Sequence, residues 1–317
     1  MRGRQGGGVR GRQGERGRGR PTPPPAPGPE GAVTVVRPED DAYPVALRTL
    51  SEPPPLLYVR GTLRPEDAVA VAVVGARRAT PYGLHIAEQL GRDLARHGVT
   101  VVSGLARGID GAAHRGALAA GGRTLAVLGC GPDRAYPPEH ARLLAQVVAA
   151  GAVLSEYPPG TPPLRHHFPL RNRLISGLSL GVVVVEGRED SGALITAECA
   201  LAQGREVLAV PGSIFAPTSA LPLRLLHEGA TPVRHVEDVL DALRLPRRAA
   251  SPAAPQPVAL DGPEALLYGH LALEPQHIDV LARRCALPVA TVGASLTVLE
   301  LRGLVRALPG QRYVRVP

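Results

Sequence analysis

Between residues 69 and 243 the chain alternates two textures. Six short runs, AVAVVGAR, VTVVSG, RTLAVLGCG, AVLSEYP, GVVVVEG and EVLAVPG, are nearly all apolar and each runs into glycine or proline. Between them, apolar residues recur every three or four positions, which predicts helices over 82–97, 111–120, 139–150, 172–178 and 194–203. Continuous apolar runs that alternate with helices indicate parallel strands buried on both faces. The prediction is an α/β domain over 69–245 with a doubly wound, mostly parallel sheet. Ligands of such sheets bind beyond the carboxyl ends of the strands. Those ends here carry 75–78, 103–108, 129–131, 155–157, 186–187 and 211–213.

The flanks read differently. Residues 31–68 form a lead-in expected to pack on the core. Within it Pro53, Pro54 and Pro55 exclude helix interior, and LLYVRG fits an edge strand. PRRAASPAAPQP opens an extended Pro/Ala linker over 246–260. Residues 261–317 read as a helix, a turn at Leu287 and Pro288, a second helix over 290–301 and a hairpin around Pro309 and Gly310, the pattern of a small C-terminal winged-helix domain. Residues 1–30 are Arg/Gly repeats followed by a proline run. With almost nothing to bury, they are expected to be disordered, as a solvated tail, a start-site artefact or an RGG-like nucleic-acid arm.

Composition narrows the classes. Hydrophobic residues are 44% of the 317, and no apolar run approaches the length of about 18–20 residues that a membrane span needs. The arginine-rich N-terminus lacks the apolar segment of a secretory signal. Cys130, Cys199 and Cys285 are far apart, sit in apolar contexts and match no metal spacing, so they read as small buried residues in a reducing, cytoplasmic compartment. The net charge of +8 suggests an anionic partner, yet all 36 basic residues are arginine, a uniformity that looks like codon bias. Seven arginines against Glu15 and Glu30 put net +5 in the first thirty residues, so any anion site in the body must be local.

The stretch SGLARGIDGAAHRGAL, 103–118, follows a strand run, turns on Gly104 and Gly108 and enters a helix, a construction suited to phosphate. Several enzyme classes fail against the chain. The first strand is followed by GARRATPYG, with arginines where a dinucleotide site needs glycines, and the absence of lysine removes a P-loop. No G-x-S-x-G elbow occurs, and His166 and His167 lack a carboxylate at ligand spacing. The second basic feature is LRHHFPLRNRLISGLS, 164–179. It places Arg165, Arg171 and Arg173 around Asn172 and includes Phe168, whose ring can stack a base.

Five blocks, VVGARRATPYG, VVSGLARGIDGAAHRGAL, LSEYPPG, HFPLRNRLISGLS and EDSGALITAECALAQGREVLAVPG, occur in this order, within a stretch from about residue 43 to 243 over which the resemblance below runs. The set resembles the DNA-processing protein A family, also called Smf, and the last 57 residues resemble the winged-helix module of many members. The resemblance implies a Rossmann-like domain that binds single-stranded DNA as a homodimer. It further implies a mediator that loads RecA recombinase in natural transformation or repair, with no established catalytic reaction, no metal and no nucleotide cofactor. Carried over by motif, Gly75 and Arg77 fall in the Gly-x-Arg turn. Ser103 and Gly104 fall in the Ser-Gly-x-Ala turn, with Arg107 beyond it. Arg165 and Phe168 accompany HFP, and Arg171, Asn172 and Arg173 fall at the basic helix start. There are departures. Ala76 replaces a common hydroxyl residue, Pro138 stands where some relatives have lysine, and the Arg/Gly/Pro segment occupies the place of a helical N-terminal domain.

Two other classes stay open on the residues. The same architecture serves phosphoribohydrolases, with Glu156 or Glu186 as acid or base, although their P-G-G-x-G-T run is absent. A transcriptional regulator would read DNA through VATVGASLTVLEL, which has no basic residue before Arg302. Asp110 is expected to cap its own helix, and truncation of Arg77 or Arg171 is expected to cost little stability.

Overall fold

The structure, a computed structural model, describes residues 32–247 and 260–316. The predicted tail, and the linker from 248 to 259, lie outside the described residues.

The main body opens with strand β1 (Val33–Val36), a single helical turn α1 (Val45–Arg48) and β2 (Leu57–Gly61). The alternation follows: β3 (Ala70–Val74), α2 (Pro81–Arg96), β4 (Thr100–Ser103), α3 (Ile109–Ala119), β5 (Thr124–Leu128), α4 (Ala141–Ala150) and β6 (Ala152–Ser155). It continues through α5 (His167–Gly177), β7 (Gly181–Val184), α6 (Gly192–Ala202), β8 (Glu206–Ala209), α7 (Ala220–His227), β9 (Thr231–Pro232) and α8 (Val236–Ala242). All six apolar runs are strands.

The nine strands form one sheet in the order β1-β2-β6-β5-β4-β3-β7-β8-β9. Strands β3 to β8 pair in parallel, and β2 joins β6 antiparallel. Chain order runs outward from β3 to β6 on one side and from β7 to β9 on the other, so the sheet changes direction between β3 and β7. Successive strand side chains face opposite ways, and the sheet therefore splits its apolar residues. Ala70, Ala72 and Val74 join Leu174, Ile175, Ala197 and Leu221 on one face. Val71 and Val73 join Leu90, Leu94, Ile109 and Val239 on the other.

The LLYVRG strand is not the edge. β2 is covered by β1, with Val33 opposite Arg60 and Val36 opposite Leu57, because the short VTVV run supplies an outer partner that its length had hidden. Helix α5 begins at His167, five residues before the predicted start. Pro169 falls in its first turn, where no intrahelical N–H is needed and proline is tolerated. Cys130 and Cys285 are buried and free, while Cys199 is only half-buried.

The C-terminal unit comprises α9 (Gly262–His270), β10 (Gln276–His277), α10 (Ile278–Cys285), α11 (Val289–Leu301), β11 (Val305–Leu308) and β12 (Arg312–Arg315). The hairpin β11–β12 is extended by β10 into a three-stranded wing. Leu267, Leu281, Leu296, Leu299 and Val305 form its own core. No single helix among the described residues is long and apolar enough to cross a membrane.

Candidate functional site

The carboxyl ends of β3, β4, β5 and β7 meet α5 at one edge, and nearly every residue singled out in the sequence gathers there. The turn after β3 and the turn after β4 are docked on each other. Ile109 N donates to Ala76 O at 3.2 Å, and Gly108, at φ 76°, lies against the carbonyls of Ala76 and Arg77 so closely that no side chain fits. Gly75 is equally close-packed, with Ile109 and the Glu186 carbonyl 2.7 Å from where its Cβ would stand.

The crevice at the direction change, where doubly wound sheets receive ligands, is filled by the chain itself. Glu186, 3% exposed at the end of β7, accepts from Thr80 N at 2.8 Å and Thr80 Oγ1 at 2.5 Å. Thr80 is the N-cap of α2, so a protein carboxylate occupies the helix terminus at which a phosphate would otherwise bind. Burial raises the Glu186 pKa.

Asp110 holds the turn after β4. Its carboxylate accepts from Gly104 N at 3.1 Å and from Ala106 N at 3.4 Å. It is the second residue of α3 and holds the preceding turn, which corrects the expectation that it caps its own helix. Beside it lies Arg171, 4% exposed, which donates to Gly104 O at 3.1 Å and to Val127 O. Gly104 leaves room for both, since a Cβ would stand 2.7 Å from the guanidinium and 2.8 Å from the carboxylate. Burial acts on each partner, raising the Asp110 pKa and lowering that of Arg171 to about 10.

The remaining candidates divide by exposure. Ser103 is fully buried and donates to Val73 O at 2.7 Å, and Asn172 is buried and donates to Gly192 O at 3.1 Å. Because α5 starts early, Arg171, Asn172 and Arg173 lie within the helix and not at its amide-bearing end. His167, Arg171, Leu174 and Ile175 share its buried face. Arg173 pairs with Glu156 at 2.5 Å, so Glu156 and Glu186 both have their charge engaged. Arg107 is exposed and paired with Glu139. Arg77, Arg78 and Arg165 are exposed, and among the described residues no carboxylate forms an ion pair with any of them.

Phe168 joins the two halves. Its half-buried ring lies over Gly129, 5.3 Å from the Tyr136 ring. The Arg77 guanidinium sits over the same ring at 5.2 Å and the Arg171 guanidinium is 6.0 Å from it. Tyr157 stacks on His167 at 3.8 Å next to it. Sequence reasoning missed Tyr136 and Glu139. Both lie on the loop after β5, whose opening glycines, Gly129 and Gly131, it had already placed at this edge.

A family profile described as DNA recombination-mediator protein A matches residues 34–244, and a second, the DprA winged helix domain, matches residues 251–311. The chain belongs to the DNA recombination-mediator protein A family. It is 42% identical to Protein Smf of Escherichia coli over 287 residues, spanning 88% of this chain and 76% of that protein. Among solved structures of the family, DNA processing protein A from Streptococcus pneumoniae aligns with TM-score 0.64 and 43% identity, covering 66% of this chain and 74% of that one. DNA processing protein A from Helicobacter pylori, described for its single-stranded DNA binding mode, aligns with TM-score 0.60 and 28% identity, covering 67% of this chain and 95% of the other.

Proposed function

We propose that this member of the recombination-mediator family binds single-stranded DNA along the carboxyl edge of its sheet. It acts as a homodimeric, non-catalytic mediator in the cytoplasm that protects incoming strands and helps load RecA recombinase in transformation or repair. The observation that carries the reading is the Arg77 guanidinium over the half-exposed Phe168 ring, between the α2 N-terminus already occupied by Glu186 and the turn already held by Asp110. A mononucleotide needs the deep crevice, and that crevice is full. A polynucleotide needs a rim of cations and one unsaturated face, and the rim offers Arg77, Arg78, Arg107 and Arg165 beside Phe168.

Each residue has a part in this reading. Arg77 and Arg165 contact phosphates, and Phe168 stacks a base after Arg77 slides from its face. Gly75, Ser103, Gly104, Arg171 and Asn172 shape and hold the turns from below, and Arg173 acts through its pairing with Glu156. The helix α11, with no charged residue between Val289 and Leu299, supports a protein contact in preference to base reading. Gel-shift of the purified chain against single- and double-stranded oligonucleotides of matched length, over a salt series, tests the proposal. Preference for single strands, with affinity falling steeply as salt rises, is expected. Equal affinity for duplex overturns it, and release of free base from nucleoside monophosphates would return the phosphoribohydrolase reading.

A further inference from the structure

The rim cations are not equivalent. Arg107 stands on the turn after β4, whose Gly108 is packed against the Arg77 carbonyl, so the backbone that carries Arg107 adjoins the backbone that carries Arg77. Yet the Arg107 Nε donates to Glu139 Oε1 across the gap to the loop after β5. Both side chains face solvent, 59% of the arginine and 50% of the glutamate remaining exposed. The Arg107 hydrogen bond holds the Glu139 carboxyl below the usual carboxylate range, so it is ionised at neutral pH.

From this geometry we infer that Glu139 sets the affinity of the single-strand site. It is a built-in competitor for Arg107 that an arriving phosphate must displace. The inference rests on the proposed function and goes beyond it by assigning a residue that opposes binding. An exposed pair of this kind contributes little to stability, and its arginine is therefore open to exchange, unlike Arg171 beneath it. Two effects of Glu139 act together. It neutralises one of the cations that would release counterions from DNA, and it holds a negative charge beside the strand's path. The neighbouring position reinforces this: Pro138 supplies no cation that would offset the carboxylate. The site is therefore tuned for release as well as capture, which suits a protein that must hand its strand to a recombinase.

The experiment measures binding of a fluorescent oligothymidylate to the full chain and to Glu139→Gln, Arg107→Ala and the double variant, by anisotropy over a salt series. Glu139→Gln is expected to bind about three- to tenfold more tightly near 100 mM salt. Its plot of log affinity against log salt should steepen by about one phosphate. Arg107→Ala alone should weaken binding by less than about threefold, because its charge is already offset. In the Arg107→Ala background, the gain from Glu139→Gln should shrink to less than half. Thermal melts of the variants should match the unaltered chain, which separates the effect from folding. Unchanged affinity and slope in Glu139→Gln, or a gain of the same size without Arg107, overturns the inference while leaving the proposed function standing. Failure of the unaltered chain to bind the oligothymidylate overturns the proposed function itself.

Discussion

Two arginine–carboxylate couples flank the same turn, 104–108, and behave as different objects: Arg107 and Glu139 bond directly, whereas Arg171 and Asp110 interact through charge alone. Arg171 and Asp110 lie beneath it, both under 9% exposed and bonded to backbone at Gly104, Ala106 and Val127. Arg107 and Glu139 lie above it, bonded to each other and half in water. Sequence treats both arginines alike, as basic residues at the edge of the sheet. Burial separates them. A charge taken out of water must keep its partner, and removing that partner costs far more than the pair contributes. A charge left in water can exchange partners at little cost. The lower pair therefore builds the site and the upper pair is open to regulate it.

The largest expected effect follows from breaking the lower pair. Arg171→Ala leaves Asp110 buried without its cation and strands the carbonyls of Gly104 and Val127. A loss of about 3–5 kcal/mol is expected, and at about 2–4 °C per kcal/mol for a body of this size the melting temperature should fall by roughly 10 °C. This replaces the expectation from sequence that truncating Arg171 leaves folding untouched. Removing both charges, with Arg171→Met and Asp110→Asn, should recover part of the loss, since a neutral filled site avoids the unpaired charge. A circular-dichroism melt of Arg171→Ala indistinguishable from that of the unaltered chain would contradict the account.

A second buried group sharpens the comparison through pH. His114 is fully buried, with Nδ1 2.7 Å from Thr124 Oγ1. Burial, then the positive charges of His140, Arg115 and Arg171, push its pKa down to about 3. The folded chain keeps the ring neutral where the unfolded chain takes up a proton, below about pH 6.5. The unfolded state thus binds more protons in that window, and stability falls as pH drops from about 6.5 towards 3, by at most about 1.4 kcal/mol per unit. Urea titrations at pH 7, 6 and 5 should show this slope, and His114→Gln should flatten it. An equal slope in the variant would place the proton uptake elsewhere.

These two residues also mark how far the sequence could be read. The six strands and the sheet edge that carries the site were legible, because an all-valine run has one economical fate in a parallel sheet; the strand order, and with it the change of direction between β3 and β7, was not. The motif blocks put Gly75, Arg77, Gly104, Phe168 and Arg171 at one edge for the same reason. What was not legible was depth. A helix starting at His167 and one starting at Asn172 present Arg171 to opposite environments, and the true start lies ahead of Pro169, which the first turn accommodates. Glu186 and Asp110 were likewise visible as residues. That Glu186 fills a helix terminus and Asp110 holds a turn depends on contacts across 106 and six positions of sequence, and no local pattern encodes the first.

On the exposed side the effects should be smaller and confined to binding. Arg77→Ala removes a guanidinium that lies on Phe168 and faces solvent, so melts should be unchanged. Loss of a charge-assisted hydrogen bond, about 1.5–3 kcal/mol, should weaken single-strand binding by about ten- to a hundredfold. The salt slope should drop by about one phosphate. Arg92→Ala is the control: it lies on α2 in an i,i+4 pair with Glu88 and should bind as the unaltered chain does. Wild-type affinity and slope in Arg77→Ala would remove the rim from the site.

The smallest effect is expected from the part with the most charge. Deleting residues 1–30 removes net +5, more than half of the formal excess, but none of the residues that meet at the sheet edge. Net charge that is not part of the site attracts any polyanion and is screened over about 10 Å at 0.1 M salt. The truncated chain should therefore lose affinity only at low salt, and equally for single strands and duplex, while the ratio between the two is kept. Gel-shift of both forms at 50 and 200 mM salt separates the cases. If truncation abolishes single-strand preference at the higher salt, the tail is the site, and the contrast between buried and exposed pairs describes a scaffold.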